Sequence, residues 1–189
     1  MKRLNWSAML LLCGALGTAQ ATEVNGVTLP ETLEVDNTNL TLNGAGVRNK
    51  YFMKVYVAGL YVPQQSADAA TIMNADEVQA MRVEITSSMI TRNRFQETVQ
   101  DGLKQSAGDE YPKYEHMLDE LWADKNLEVE KGDVFEYRYV PGEGTRFLRN
   151  GTSLKVVEGL DFKRVLFGIY LGENPVQDSL KAELLGRAQ

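Results

Sequence analysis

The N-terminal part of the chain alternates between hydrophobic and polar residues over short stretches, which is the pattern of half-buried β-strands. Two such stretches, residues 24–35 and 40–47, contain the dipeptides Asn25-Gly26 and Asn43-Gly44. Because Asn-Gly adopts the left-handed backbone of tight turns at little cost, both dipeptides predict turns between short strands.

A longer β-type segment follows at residues 51–62, which is rich in β-branched and aromatic side chains and ends at Pro63. Residues 64–78 are polar and rich in alanine, so we expect a loop that holds a short helix. The alternation returns over residues 80–88 and predicts another strand.

Helical spacing replaces this alternation in the middle of the chain. Phe95, Val99 and Leu103 recur every four residues. Thr91 precedes them as a candidate N-cap. The apolar residues of segment 109–126 fall on one stripe, so we expect a second helix there.

Strand-like patterns resume after Gly132. Residues 133–140 are followed by a turn and by two alternating runs that flank Asn150-Gly151. Because Asn-Gly between alternating runs is a strong hairpin signal, this region predicts a meander of three strands.

The chain closes with two predicted helices. Apolar residues recur at helical spacing over 162–170, and Gly172 marks the end of that helix. A last helix is expected over about 175–185, with Gly186 at its C-terminal end. This order of elements predicts an α+β fold, in which an open antiparallel β-sheet carries a layer of helices on one face.

The first residues have the organisation of a secretory signal peptide. Lys2 and Arg3 form a positive start, and residues 6–17 are an apolar stretch of 12. A membrane-spanning helix needs about 20 apolar residues. The small residues Ala19 and Ala21 fit a cleavage site. We therefore expect residues 1–21 to be removed and the protein to be exported to the bacterial periplasm.

Removal of this segment changes what the composition allows. The 189-residue chain loses two cations and its single cysteine, which leaves 168 residues with 18 basic and 26 acidic side chains. The negative balance argues against nucleic acid and against docking on an anionic membrane surface. No second apolar stretch is long enough to span a membrane, so we expect no stable membrane insertion. Without cysteine, packing must stabilise a single domain.

Motifs for common catalytic chemistry are absent from the sequence. The one histidine, His116, has acidic neighbours and no partner at metal-ligand spacing, so we expect an exposed helix position. The glycines of residues 142–151 lack the spacing of phosphate-binding loops and fit hairpin turns instead. We therefore expect no metal and no cofactor.

Side chains of the strand 51–62 divide into two sets, because successive residues of an extended chain point to opposite faces. The more apolar set is expected to pack under the helices: Met53, Val55, Val57, Gly59 and Tyr61. The other set includes a cation and a phenol, as in a cleft for a polar-ended ligand: Phe52, Lys54, Tyr56, Ala58 and Leu60. The alternative is that Lys54 and Tyr56 form the solvent face of an edge strand, and Arg48 a surface ion pair.

The stretch LNGAGVRNKYFMKVYVAGLYV (residues 42–62) resembles the G-x-G-x-R … K-h-x-x-G-h-Y segment of the chalcone isomerase fold family, where h is hydrophobic. Residues 90–104 match the helix after the central strand. Residues 160–186 resemble the closing helices of the exported bacterial branch. The resemblance covers most of residues 24–186 and identifies 22–189 as a chalcone isomerase-like domain.

The resemblance implies an open sheet, a layer of helices and a ligand cleft between them. The family includes plant isomerases that close a flavonoid ring and non-catalytic relatives that bind fatty acids. In both groups the matched arginine meets an anionic oxygen of the ligand, and it falls on Arg48. A threonine of the isomerases falls on Tyr56, near the place where the fatty-acid binders are expected to use a tyrosine.

The other polar positions of the isomerase cleft are changed in this chain. They fall on Phe95, Thr98, Gly102 and, late in the chain, Gly168. Cyclisation of a chalcone requires placed donors for a phenolate and an enolate, and Phe95 and Gly102 donate nothing from their side chains. The resemblance therefore implies a more apolar cleft that suits an alkyl chain.

Three hypotheses follow. The preferred one is a non-catalytic periplasmic protein that binds a fatty acid or similar amphipathic anion through Arg48, Tyr56, Lys54 and Phe95. The second is an isomerase of the intramolecular lyase type, acting on a phenolic or enone substrate. The third is an exported scaffold with a vestigial cleft. Burial of an unpaired arginine is costly, so binding requires Arg48 at a wet mouth or near a carboxylate.

Overall fold

A computed structural model describes residues 21–123 and 128–187 of the chain. The predicted signal peptide at residues 1–21 lies outside this range except for Ala21, and the last part of the helix predicted over 109–126 lies outside it as well. No helix within the described residues is both long enough and apolar enough to cross a membrane.

Nine strands occur in the described residues, and the alternation of the sequence accounts for most of them. Their bounds are β1 (Ala21–Val24), β2 (Val27–Pro30), β3 (Thr32–Val35), β4 (Thr38–Lys50), β5 (Met53–Val62), β6 (Gln79–Ile85), β7 (Val134–Val140), β8 (Gly144–Arg149) and β9 (Thr152–Val157). Asn25-Gly26 and Asn150-Gly151 form tight hairpin turns with positive φ at both residues, as predicted.

Five α-helices occur in the same part of the chain: α1 (Ala69–Asn74), α2 (Arg92–Ala107), α3 (Pro112–Leu121), α4 (Leu160–Leu171) and α5 (Asp178–Leu184). Thr91 caps α2, since its side chain accepts a hydrogen bond from the amide of Arg94 at 3.4 Å. Gly172 ends α4, and Gly186 follows α5 with a φ of 67°. These helix ends confirm the sequence predictions.

Strands β3 to β9 form one antiparallel sheet in chain order, and β1 and β2 form a separate hairpin. The predicted α+β fold, with an antiparallel sheet and a helix layer on one face, is confirmed. His116 is exposed on α3, 3.2 Å from Glu120, as expected. Tyr61, Trp122 and Tyr170 are buried core residues.

Each face of the sheet has its own hydrophobic core. The larger core lies under the helices and receives Tyr56, Ala58 and Leu60 from β5. The smaller core lies under the β1–β2 hairpin and receives Val57 and Tyr61. The prediction that Val57 and Tyr61 pack under the helices is therefore wrong, because the apolar hairpin covers that face instead.

The predicted turn at Asn43-Gly44 is also wrong, because Asn43 lies in a bulge of β4. Its buried side chain accepts a hydrogen bond from the Ser66 amide at 2.7 Å and donates to the carbonyl of Leu184 at 2.8 Å. These tertiary partners satisfy the side chain, and the strand continues through it. The tight turns on either side of β4 are at Asp36-Asn37 and Tyr51-Phe52, where both residues have positive φ.

Candidate functional site

The motif residues Gly44, Gly46 and Arg48 lie at alternate positions of β4, so they share the face of the sheet that carries the helices. Helix α5 lies directly over the two glycines. A methyl group on Gly44 would meet the carbonyl oxygens of Glu183 and Leu184, and one on Gly46 would meet the Glu183 side chain. The two glycines therefore allow α5 to pack directly on β4. Arg48 is the first side chain of this face beyond the helix.

The N-terminal end of α5 fixes the backbone around Arg48. The Gln177 side-chain oxygen accepts hydrogen bonds from the Asn49 amide at 2.8 Å and from Arg48 Nη1 at 3.2 Å. Its amide nitrogen donates to the carbonyl of Val47 at 3.0 Å. A residue 129 positions away in the sequence thus orients the arginine, and no local pattern of the sequence indicates this contact.

A second bulge, at Val55 in β5, brings Tyr56 beside Arg48. The strands pair Asn49 with Lys54 and Arg48 with Tyr56, which leaves Val55 without a partner. A bulge shifts the alternation by one residue. Val55 and Tyr56 therefore both join the core under the helices.

The same shift separates Lys54 from the predicted site. Its ammonium donates a hydrogen bond to Asn25 Oδ1 at 2.7 Å, at the turn of the β1–β2 hairpin on the opposite face. The expectation that Lys54 and Tyr56 share a face is wrong, because it assumed an unbroken strand between them. Lys54 is thus the one predicted ligand residue directed away from the helix layer.

Tyr56 is a buried phenol next to a cation. Burial raises the pKa of Tyr56 to about 12, although the positive charge of Arg48 and contact with Tyr170 oppose the rise. Burial also raises the pKa values of Tyr137 and Tyr170, which lie behind it. All three hydroxyls are therefore protonated near neutral pH, so Tyr56 can donate a hydrogen bond to an anion beside Arg48.

A cleft of about 360 Å³ opens beside Arg48 and Tyr56, between the β4–β5 turn and α2. We call it the Arg48 cleft. Its apolar wall consists of Met53, Val55, Met89 and Ile90. Met89 and Ile90 precede α2 in a loop, where hydrophobic periodicity gives no signal that would place them at the site.

Charged side chains line the rest of the Arg48 cleft. Arg48, Lys50 and Arg94 contribute three cations, and Glu97 and Asp101 contribute two carboxylates from α2. Arg48 itself is half-buried. It therefore lies at a solvent-accessible cleft mouth, where an arginine avoids the cost of full burial.

Phe95 lies one layer deeper than the Arg48 cleft. Its ring stacks on Phe135 with 4.5 Å between centroids and meets the edge of Trp122 at 5.8 Å. Two small spaces of about 10 Å³ each border it, and one of them shares Tyr56 and Thr98 with the cleft. Side chains thus fill the interior behind the cleft, with Phe95 on its far side.

The glycines at the remaining isomerase-like positions serve helix packing. A methyl group on Gly102 of α2 would lie 2.9 Å from Ile169 Cγ2 of α4, and one on Gly168 of α4 would meet Ser106 Oγ of α2. Because α2 and α4 approach this closely, neither position has room for a polar side chain directed at a ligand. Thr98 is the only one of the four positions that lines the Arg48 cleft.

These features define an α+β protein with an arginine-marked cleft between a seven-stranded sheet and its helices. The sequence matches the chalcone isomerase-like family over residues 21–186, and the chain belongs to that family. No curated protein sequence matches it significantly. Its fold is similar to the crystal structure of a fatty-acid-binding protein of Arabidopsis thaliana, with a TM-score of 0.71 and 19% sequence identity. That match covers 88% of this chain and 96% of the plant protein.

Proposed function

We propose that this protein binds a fatty acid, or a similar amphipathic anion, in the Arg48 cleft without converting it to a product. The observation that carries the proposal is the position of Arg48, beside the Tyr56 phenol and against an apolar wall. A cation and a hydroxyl donor at one end of an apolar cleft suit a carboxylate head with an alkyl tail.

The donors of Arg48 support this assignment of the head group. Nη1 donates to the carbonyl of Asn49 at 2.7 Å and to Gln177. A guanidinium has further donors on Nε and Nη2, and the ion pairs found in the described residues all involve other side chains. A ligand carboxylate can therefore form charge-assisted hydrogen bonds with Arg48.

The size and lining of the cleft support an alkyl tail. Its volume of about 360 Å³ falls in the range of small-molecule sites, roughly 300–1,000 Å³. Each buried methylene contributes about 0.8 kcal/mol before ordering costs. The tail would thus supply most of the affinity, and Arg48 would set the direction in which the ligand enters.

The similarity to a fatty-acid-binding protein adds support, since the shared fold extends over most of both chains.

We also propose that the protein acts in the periplasm, on the basis of the signal-like organisation of residues 1–21. Cell fractionation with an intact-mass measurement of the purified chain tests this location. We expect the mass of a chain that begins at Thr22. A full-length chain in the cytoplasm would contradict the proposed location.

Arg48→Ala is expected to weaken fatty-acid binding by about 10- to 150-fold, the equivalent of 1.5–3 kcal/mol for a hydrogen bond to a charged group. Titration calorimetry of delipidated protein with palmitate measures this loss. Native mass spectrometry of protein from the periplasm should show a lipid-sized ligand on the wild type and reduced occupancy on the variant.

Lys54→Ala provides the matched control, because Lys54 lies in the same hairpin but contacts Asn25 on the opposite face. Its affinity for palmitate should equal that of the wild type. Equal affinity of Arg48→Ala and the wild type would contradict the assigned head-group site. Loss of a chalcone substrate above the spontaneous rate would contradict the non-catalytic role.

A further inference from the structure

The turn between β4 and β5 exposes two aromatic side chains to solvent. Tyr51 is 81% exposed and Phe52 is fully exposed. Both have left-handed backbone conformations, with φ values of 48° and 65°. That region is unfavourable for residues other than glycine, asparagine and aspartate, and particularly so for bulky ones.

Formation of the hairpin does not require these aromatic residues. Three other tight turns in the described residues have a positive φ at both positions, and none of them uses an aromatic residue: Asp36-Asn37 at 48° and 61°, Asn25-Gly26 at 51° and 79°, and Asn150-Gly151 at 50° and 79°. Tyr51-Phe52 is thus a costly choice for the same geometry. A role for the exposed rings outside the hairpin accounts for it.

The exposed apolar side chains of the described residues concentrate at this place. Five large hydrophobic residues are exposed in the part of the chain that the structure describes, and the three most exposed are Phe52, Tyr51 and Met89. Tyr51 and Met89 line the Arg48 cleft, and Phe52 lies beside Tyr51 in the turn. We call these three side chains the aromatic tip. The other two exposed residues, Leu154 and Val156, belong to β9 at the far edge of the sheet.

The surroundings of the aromatic tip are cationic, although the whole chain has a net charge of −6. Arg48, Lys50 and Arg94 line the cleft beside the tip, and residues 48–54 contain no acidic residue. The ammonium of Lys50 lies 5.9 Å from the centre of the Tyr51 ring. The two carboxylates that line the cleft, Glu97 and Asp101, belong to α2 after its first turn. The negative total charge therefore does not describe this surface.

Aromatic rings surrounded by lysine and arginine match the interface of a phospholipid bilayer. Tyrosine and other aromatic rings favour the headgroup level, and basic side chains pair with lipid phosphates. A stable protein interface needs about 800 Å² on each partner. Three side chains that bury at most roughly 150–250 Å² each fall short of that area, whereas insertion into a bilayer needs no such surface.

We propose that the aromatic tip docks the mouth of the Arg48 cleft reversibly on a phospholipid bilayer that contains anionic lipid. Tyr51, Phe52 and Met89 enter the headgroup region, and Lys50 lies at the phosphates. An amphipathic anion can then pass between the bilayer and Arg48 without crossing bulk water. The purpose of docking rests on the proposed function, but the docking surface itself does not.

The double variant Tyr51→Asn/Phe52→Gly tests the proposal, since it installs the turn dipeptide that the chain uses twice elsewhere. Flotation of delipidated protein with vesicles of phosphatidylethanolamine and a minor fraction of phosphatidylglycerol measures docking. We expect the variant to bind the vesicles at least about tenfold more weakly, because two aromatic side chains are no longer available for burial in the bilayer. Its midpoint of urea unfolding should be equal or higher, because the strained turn is relieved.

A matched control removes exposed apolar surface elsewhere. Leu154→Asn/Val156→Thr changes the two exposed residues of β9 and should bind the vesicles as the wild type does. Lys50→Gln should weaken binding about fivefold on vesicles with phosphatidylglycerol and leave binding unchanged on vesicles without it. Equal flotation of the wild type and Tyr51→Asn/Phe52→Gly, or no flotation of the wild type, would overturn the proposal.

Failure of docking and failure of the proposed function give different results. Palmitate titration in the absence of vesicles should give the same affinity for the wild type and for Phe52→Gly within about threefold, since Phe52 does not line the Arg48 cleft and Arg48 is unchanged. If palmitate does not bind but the wild type still floats, docking stands and the proposed ligand falls. If palmitate binds but the wild type does not float, the proposed ligand stands and docking on a bilayer falls.

Discussion

Gly44→Ala is expected to lower the free energy of unfolding by about 3 kcal/mol, at the upper end of overpacking effects. The added methyl group would overlap the carbonyl oxygen of Glu183 and lie 2.7 Å from that of Leu184. Backbone atoms cannot turn aside as a side chain can, so the whole of α5 must move off β4. Urea unfolding, monitored by circular dichroism, measures the loss.

Gly46→Ala is the graded comparison, because its methyl group meets the Glu183 side chain rather than the backbone. That side chain can rotate, at the expense of the hydrogen bond that it accepts from the Val47 amide at 3.1 Å. We expect a loss of roughly 1–2 kcal/mol. Equal stability of Gly44→Ala and the wild type would contradict the close seating of α5. Any displacement of α5 also moves Gln177 from Arg48, so Gly44→Ala should weaken palmitate binding as well.

Lys163→Met is expected to lower the free energy of unfolding by about 3 kcal/mol, because the Lys163 ammonium closes the end of α1 inside the protein. Its side chain is fully buried and donates to the carbonyls of Ile72 at 2.7 Å, Ala75 at 3.0 Å and Met73 at 3.1 Å. Three acceptors at a helix end would lose their partner, and each buried unpaired group costs about 1–3 kcal/mol. Chemical unfolding near pH 7 gives the difference, and a variant as stable as the wild type would contradict this role.

The stability difference should also depend on pH. Burial lowers the pKa of Lys163 to about 7; the Arg164 charge acts in the same direction, and Asp76 and Glu77 oppose it. Because the unfolded lysine has a pKa near 10.4, the unfolded chain binds more protons between pH 7 and 10, and stability rises with pH there. The advantage of the wild type over Lys163→Met should grow by roughly 2 kcal/mol from pH 7 to pH 9. A stability difference between the wild type and Lys163→Met that does not change from pH 7 to pH 9 would mean that the three carbonyls keep the lysine charged.

Local patterns were enough to predict the class of fold and many of its boundaries. The turns at Asn25-Gly26 and Asn150-Gly151, the N-cap Thr91 and the helix end at Gly172 all occur where the sequence places them. Each of these signals depends on the backbone preferences of a few neighbouring residues, so it can be read without a partner. The resemblance of residues 42–62 then supplied the family and singled out Arg48.

The surroundings of Arg48 could not be derived in this way, because they depend on strand register and on distant segments. The bulge at Val55 placed Lys54 and Tyr56 on opposite faces, although the sequence predicted that they share one, and the bulge at Asn43 replaced a predicted turn. The burial of Lys163 had a local signal in the sequence, because the residue lies in a helix that is apolar on nearly all sides and such a helix is buried.

Short-range backbone energetics therefore account for most of the strands, turns and helices in the described part of this chain. The contacts of α5 with Gly44 and of Gln177 with Arg48 join segments more than 120 residues apart. The single-residue shifts of register between β4 and β5 settle which side chains face the cleft. Such contacts and shifts are set by packing between elements, which no local pattern of hydrophobic and polar residues encodes.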